Sequence, residues 1–167
     1  MSFPPTTRRR LDGRFRIRQA AVGDLPALAG MAAQASGTSV GADELSRRWM
    51  DQAQRGGYFW AVVDTQAPAA SDGSPVWVGV AHACPRRDSD VAVPLEVAEF
   101  HVLDLTRGSG IDEKLLEMAI GDAPAYMWVA AADDQLISLL SAHGFVPDGA
   151  ERFVEVDGRR ELRLVRA

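Results

Sequence analysis

Six consecutive positions, Arg107-Gly108-Ser109-Gly110-Ile111-Asp112, have the residue types and order to hold a phosphate. They follow the apolar stretch Val102-Leu103-Asp104-Leu105 and lead into the helical pattern Asp112 to Ile120. A strand, a glycine-rich turn and a helix are expected in that order. The first turn of a helix carries unpaired N–H groups and about half a positive charge. With glycine in front of it, the main chain can wrap a phosphate, which predicts a phosphorylated cofactor. A P-loop is excluded, because no lysine and hydroxyl pair follows Gly110 at the right place. A dinucleotide fingerprint lacks its third glycine and its early βαβ unit. The single cysteine, Cys84, excludes an internal disulfide, and three scattered histidines give no metal-ligand spacing.

The elements around this turn follow from periodicity. Phe15 to Gln19 alternates as a half-buried strand, and Gly23-Asp24 starts a helix that tolerates Pro26 in its first turn. A second helix follows Gly41, with Leu45, Trp49 and Ala53 on one face, and ends at Gly56-Gly57. Strands are expected at Tyr58 to Val63 and Val76 to Ala83, joined by the polar loop Gln66 to Ser74. The loop Pro85 to Asp90 leads into a strand from Val93 to Leu103. On that strand, strict alternation puts Glu96 with Ala98, Phe100 and Val102, and Glu99 and His101 on the opposite face. After the turn and its helix come strand Tyr126 to Ala131, helix Asp133 to His143 capped by Gly144, and a terminal hairpin. That hairpin pairs Val154 to Val156 with Glu161 to Val165 across Asp157-Gly158. Trp49, Trp60 and Trp77 fall at apolar positions and are expected in the core.

With 167 residues, 47% hydrophobic and 25% charged, the chain suits one α/β domain at 14–167 behind a basic tail at 1–13. A net charge of -5 argues against a nucleic-acid partner, with Arg8-Arg9-Arg10 the local exception. No apolar run approaches the ~20 residues of a membrane span, and no signal-peptide core is present, so a cytoplasmic setting is expected.

Order and motif together resemble the GNAT superfamily of acyl-CoA-dependent N-acyltransferases. The family's loop, Arg/Gln-x-x-Gly-x-Gly/Ala opening a helix, reads here Arg107 to Asp112. Its second signature, Asn followed by Tyr and then Gly-Phe, reads Asp133, Leu140 and Gly144-Phe145. The resemblance implies a mixed, mostly antiparallel central sheet of about seven strands flanked by about four helices. It implies acetyl-CoA as cosubstrate: Val102 and Leu103 pair with its pantetheine arm, and Arg107, Gly108, Ser109, Gly110, Ile111 and Asp112 hold its pyrophosphate. Asp133 lies beside the same channel, no metal is involved, and homodimers are implied as frequent. The general base falls on Glu96, eleven residues before the loop's first position. Partial desolvation there would raise a carboxyl pKa towards the working pH. The expected reaction is transfer of an acetyl group to a primary amine of a small molecule or peptide by direct attack. The acceptor region spans Met31 to Arg55 and Pro85 to Asp90, where Arg47, Arg48, Arg86, Arg87 and Asp88 suit either charge sign.

Three positions depart from the family pattern. Asp112 replaces Gly or Ala, Leu140 replaces the tyrosine that often protonates the leaving thiolate, and Asp133 replaces Asn. At an effective dielectric of ~20, a like charge about 4 Å from a phosphate costs about 4 kcal/mol. Helix-dipole attraction is worth only about 0.3–1 kcal/mol per charge. Ser109-x-x-Asp112 also reads as a capping box, which would turn the carboxylate back onto the helix start. These departures keep two alternatives open. One is a degenerate relative that binds CoA or another small ligand without catalysis, and the other is an interaction module that binds no CoA.

Overall fold

A computed structural model describes residues 13–36 and 40–167. The basic tail expected at 1–13 lies, apart from Gly13, outside the described residues. Strand β1 (Phe15–Gln19) leads through a 3-10 turn (Val22–Asp24) into α1 (Leu25–Ser36), and α2 spans Ala42–Gln54. Next come β2 (Phe59–Asp64), β3 (Trp77–Pro85) and β4 (Leu95–Val102). Beyond a second 3-10 turn (Asp104–Thr106) lie α3 (Ile111–Ile120), β5 (Ala125–Ala130), α4 (Asp134–Ala142), β6 (Val146–Val154) and β7 (Arg159–Arg166). The seven strands form one sheet in the order β1-β2-β3-β4-β5-β7-β6. Every neighbouring pair is antiparallel except β4 and β5.

Alternation along the strands sorts the core into two layers. Val97, Phe100 and Val102 of β4 join Ala125, Met127 and Val129 of β5 beneath α3 and α4, with Leu115, Leu116 and Leu140. On the other face Phe59, Ala61, Trp77 and Val80 pack against Leu25, Leu28, Ala32, Leu45 and Trp49 of α1 and α2. Among the expected core tryptophans Trp49 and Trp77 are buried, and Trp60 packs partly buried against the first layer.

The parallel pair sets up the site. Its register holds only Leu95 to Ala125 and Glu96 to Tyr126, after which the two strands diverge. The terminal hairpin is longer than expected. Pro147, Asp148 and Gly149 read as loop residues, yet they lie within β6 where its pairing with β7 slips between Pro147 and Glu151. A bulge of this kind absorbs turn-type residues without ending the strand. Gly144 follows α4 with φ +84°, the left-handed cap expected of it.

Candidate active site

Divergence of β4 from β5 opens a cleft of about 550 Å³. Its walls come from β4, β5 and the β6–β7 hairpin, with Leu45 and Arg48 of α2 at one side and Arg87 and Asp88 at another. The N–H of Leu103 donates to Val78 O at 2.9 Å, so strand alternation turns the N–H of Val102 the other way, towards the cleft. Val102 lines the cleft with this N–H directed away from β3. Leu103, expected beside it, is not among the cleft residues, and its carbonyl also accepts from the Thr106 N–H at 2.9 Å and Thr106 Oγ1 at 2.7 Å. Both of its main-chain groups are used within the fold.

A β-bulge corrects the expected facing of the acidic residues. Val97 pairs with Ala83 and Glu99 with His82, leaving Ala98 as an extra residue on β4. One inserted residue reverses the parity of everything before it. Glu96 consequently shares its face with Glu99 and His101, not with Phe100 and Val102, and all three line the cleft.

The two carboxylates are bound differently. Arg87 grips Glu96 with Nε on Oε2 at 2.8 Å and Nη2 on Oε1 at 2.6 Å, and Tyr126 donates its hydroxyl to Oε2 at 2.8 Å. The same phenol oxygen accepts the N–H groups of Arg87 and Asp88 at 3.1 and 3.0 Å. The ion pair with Glu96 raises the Arg87 pKa, while burial raises that of Tyr126. Glu99 instead accepts from Arg48 Nη2 at 2.9 Å and lies 2.8 Å from His101 Nε2. Burial opposes ionisation of Glu99 most strongly, yet the hydrogen bond and charge of His101 together with Arg48 leave its pKa lowered. A carboxylate accepting from Nε2 leaves Nδ1 of a neutral imidazole as an acceptor. His82, stacked on Phe59, has its pKa lowered by burial and donates Nδ1–H to Tyr58 O at 2.7 Å.

At the glycine turn, Gly108 and Gly110 take φ +72° and +88°, and Gly110 is the N-cap of α3. The capping box expected from Ser109 and Asp112 does not form. Ser109 Oγ donates to Thr106 O at 2.6 Å and accepts the Ile111 N–H at 3.3 Å. The buried Asp112 carboxylate turns into the loop and accepts the N–H groups of Gly108 and Glu113, both at 3.1 Å. It takes hydrogen bonds that a pyrophosphate would otherwise compete for. Among the described residues, no hydrogen bond of the protein uses the N–H of Gly110 or Asp112. The loop thus keeps two main-chain donors for an anion and has a carboxylate against a third. Arg107 Nη1 reaches Asp133 at 3.0 Å and Gln135 at 3.2 Å. Asp133 itself caps α4 by accepting the Leu136 N–H at 3.1 Å.

Leu140 is fully buried in the α3–α4 layer and is absent from the cleft wall. Several cleft residues were not singled out from the sequence. Trp128 donates its indole N–H to Asp88 at 2.9 Å and lies under the Arg152 guanidinium at 4.4 Å. Glu161 accepts from Arg152 at 2.7 Å and Arg159 at 3.1 Å. Alternation from Tyr126 could have pointed to Trp128, but the opposing partners come from distant loops and strands.

The strand order, the divergence of a parallel β4–β5 pair and the glycine turn opening α3 define the GNAT fold. Solved structures that share it include a chain of the NatC complex bound to Gag peptide and CoA. That likeness has a TM-score of 0.71 at 13% identity and covers 92% of this chain and 98% of that one. Arabidopsis thaliana NAA60 in complex with acetyl-CoA matches with a TM-score of 0.67 at 17% identity over 90% and 98%. The ribosomal-protein-alanine N-acetyltransferase from Brucella melitensis matches with a TM-score of 0.64 at 22% identity, also over 90% and 98%. No sequence-family model matches the chain, and no curated protein is significantly similar to it.

Proposed function

We propose that the protein is an N-acetyltransferase that moves an acetyl group from acetyl-CoA to a primary amine by direct attack. The observation that carries this reading is the cleft between β4 and β5, with the Val102 N–H on one wall and a glutamate–histidine pair on the same strand. Solved structures with this fold hold acetyl-CoA or CoA, which supports the choice of cosubstrate. In the reaction the amine nitrogen bonds to the thioester carbonyl carbon, the C–S bond breaks, and the amine proton passes to a base. Val102 N–H would stabilise the carbonyl oxygen as it gains charge.

His101 is our choice of base, with Glu99 as its positioning residue. Glu99 holds Nε2 and leaves Nδ1 for the amine. Glu96 is the base that the family resemblance implies, and three hydrogen bonds give it a bracing role in this reading. Leu140 offers no proton, so the imidazolium formed at His101 is the acid available to the leaving thiolate. The pyrophosphate would rest on the N–H groups of Gly110 and Asp112 and on the start of α3. The test is CoA release from acetyl-CoA across a panel of primary amines, by the native protein and by His101→Gln and Glu96→Gln. Loss of turnover in the first with retention in the second supports the assignment, and the reverse pattern returns the base role to Glu96.

A second reading rests on Asp112. Its carboxylate on the Gly108 N–H favours a protein that binds CoA weakly, or another small ligand, without catalysis. Amine-dependent CoA release well above the buffer rate excludes it. A cytoplasmic location and a homodimer remain part of the proposal, the latter motivated by the exposed edge strand β6.

A further inference from the structure

The charges around the acceptor side of the cleft are layered. Glu96, Glu99 and Glu161 lie at its floor with side chains only 5–8% exposed. The arginines bound to them remain open: Arg48, Arg87 and Arg152 are 46%, 57% and 49% exposed and Arg159 is 32%. These four arginines come from α2, the β3–β4 loop and the terminal hairpin, so they face the cleft from both sides of the diverging strands. With Asp88, four guanidiniums meet four carboxylates, so this wall is neutral overall, but its charges are sorted by depth: three of the carboxylates are buried and the guanidiniums lie outermost. Asp88 is turned away from open solvent towards Arg163 at 3.1 Å, a guanidinium it shares with Asp90 and Asp148, and towards the Trp128 indole at 2.9 Å.

We infer that the acceptor is an amine that also carries an anionic group, in the simplest case a carboxylate. The inference rests on the proposed acyl transfer for the role of the amine, and on the arginine layer for the anion. A guanidinium offers a planar fork that matches a carboxylate through two parallel N–H···O bonds, and here the fork is held in place by a buried counter-charge. An exposed layer of like sign disfavours a bare ammonium ion. A substrate whose carboxylate meets an arginine offsets that repulsion and can present its nitrogen towards His101 after losing a proton. Polyamines and other purely cationic acceptors fit the same surface poorly.

The test separates ligand class from catalysis. The full-length protein with CoA present is titrated calorimetrically with glycine, β-alanine, γ-aminobutyrate and glycylglycine, each beside its carboxamide. At least one acid should bind ten or more times tighter than its amide. Arg152→Gln, whose partner Glu161 keeps Arg159, should shrink that ratio without disturbing the fold, and Arg159→Gln, which leaves Glu161 paired with Arg152, should do the same. Equal binding of acid and amide in every pair, or binding by neither, overturns the inference. The same pairs are then assayed with acetyl-CoA for CoA release. Acid-selective binding without release keeps the anion requirement and removes the acyl transfer. Release that is equally fast with acid and amide does the opposite.

Discussion

Glu96 and Glu99 lie three residues apart on β4, share one face of the sheet, and are almost equally buried, yet they are built for different work. Arg87 chelates both oxygens of Glu96 and Tyr126 adds a third donor, so about three of its four lone-pair sites are filled. A carboxylate in that state fixes its neighbours: it holds Arg87 at the head of the β3–β4 loop and aims the Tyr126 hydroxyl at two loop amides. Glu99 shares its charge with an imidazole whose second nitrogen remains available. Burial alone therefore does not mark a general base. The identity of the partners decides whether a buried carboxylate braces the site or activates a group beside it.

Four measurements would break or sharpen this contrast. The largest effect is expected at His101. His101→Gln should lower kcat at least ~100-fold with little change in acetyl-CoA affinity, as loss of a general base does. Glu96→Gln should spare more of the rate and lose stability instead. An equal fall in kcat for both variants would erase the distinction between the two carboxylates. Next in size is Tyr126→Phe, which removes a donor to Glu96 and an acceptor for two loop N–H groups. Urea denaturation should report a loss of about 2 kcal/mol, the cost of leaving buried polar groups unpaired. A loss below ~0.5 kcal/mol, the scale of an ordinary surface substitution, would mean that water replaces the phenol and the brace is idle.

A smaller effect is expected at Asp112, whose carboxylate sits on the Gly108 N–H. Asp112→Asn removes the charge and keeps the side chain's size, and calorimetry should show CoA binding roughly tenfold tighter, a gain of about 1.4 kcal/mol. Asp112→Gly should tighten binding as well, with a penalty of about 1 kcal/mol to α3. Unchanged affinity in both variants would place the pyrophosphate elsewhere on the loop.

The contrast at β4 also shows what could be read from the chain. The strand, glycine turn and helix at Val102 to Ile120 were legible because glycine at Gly108 and Gly110 and the 3.6-residue pattern of α3 are local signals. The order of strands and helices followed in the same way. The bulge at Ala98 had only a faint local mark: Glu96-Val97-Ala98-Glu99 contains neither glycine nor proline, and the doubled apolar pair Val97-Ala98 is the sole break in the alternation along β4. That one residue was enough to put Glu96 on the wrong face and to part it from Glu99 and His101. Partners that lie far apart in sequence were hidden for a different reason. The grip of Arg48 on Glu99, across 51 positions, arises only when α2 is laid against β4. The turn of Asp112 into the loop depended on the left-handed Gly110 moving the N-cap one residue beyond Ser109.

The smallest effect, and the most direct test of the Glu99 pairing, is its acid dependence. Burial pushes the carboxyl up most strongly, but His101 and Arg48 together pull its pKa below the ordinary range. A carboxylate with a lowered folded pKa adds stability that is fully present above the unfolded value of about 4.3 and disappears as pH falls through the folded value. Below pH ~4.3 the unfolded chain takes up a proton that native Glu99 still refuses. The native protein should therefore lose stability faster with falling pH in that window than Glu99→Gln, which has no proton to gain at this position. Thermal melts of the two proteins from neutral pH down to pH ~3 should converge at the acid end. Melts that stay parallel throughout would mean that His101 and Arg48 do not hold Glu99 ionised. The imidazole would then lack the charged partner on which its assigned role as base depends.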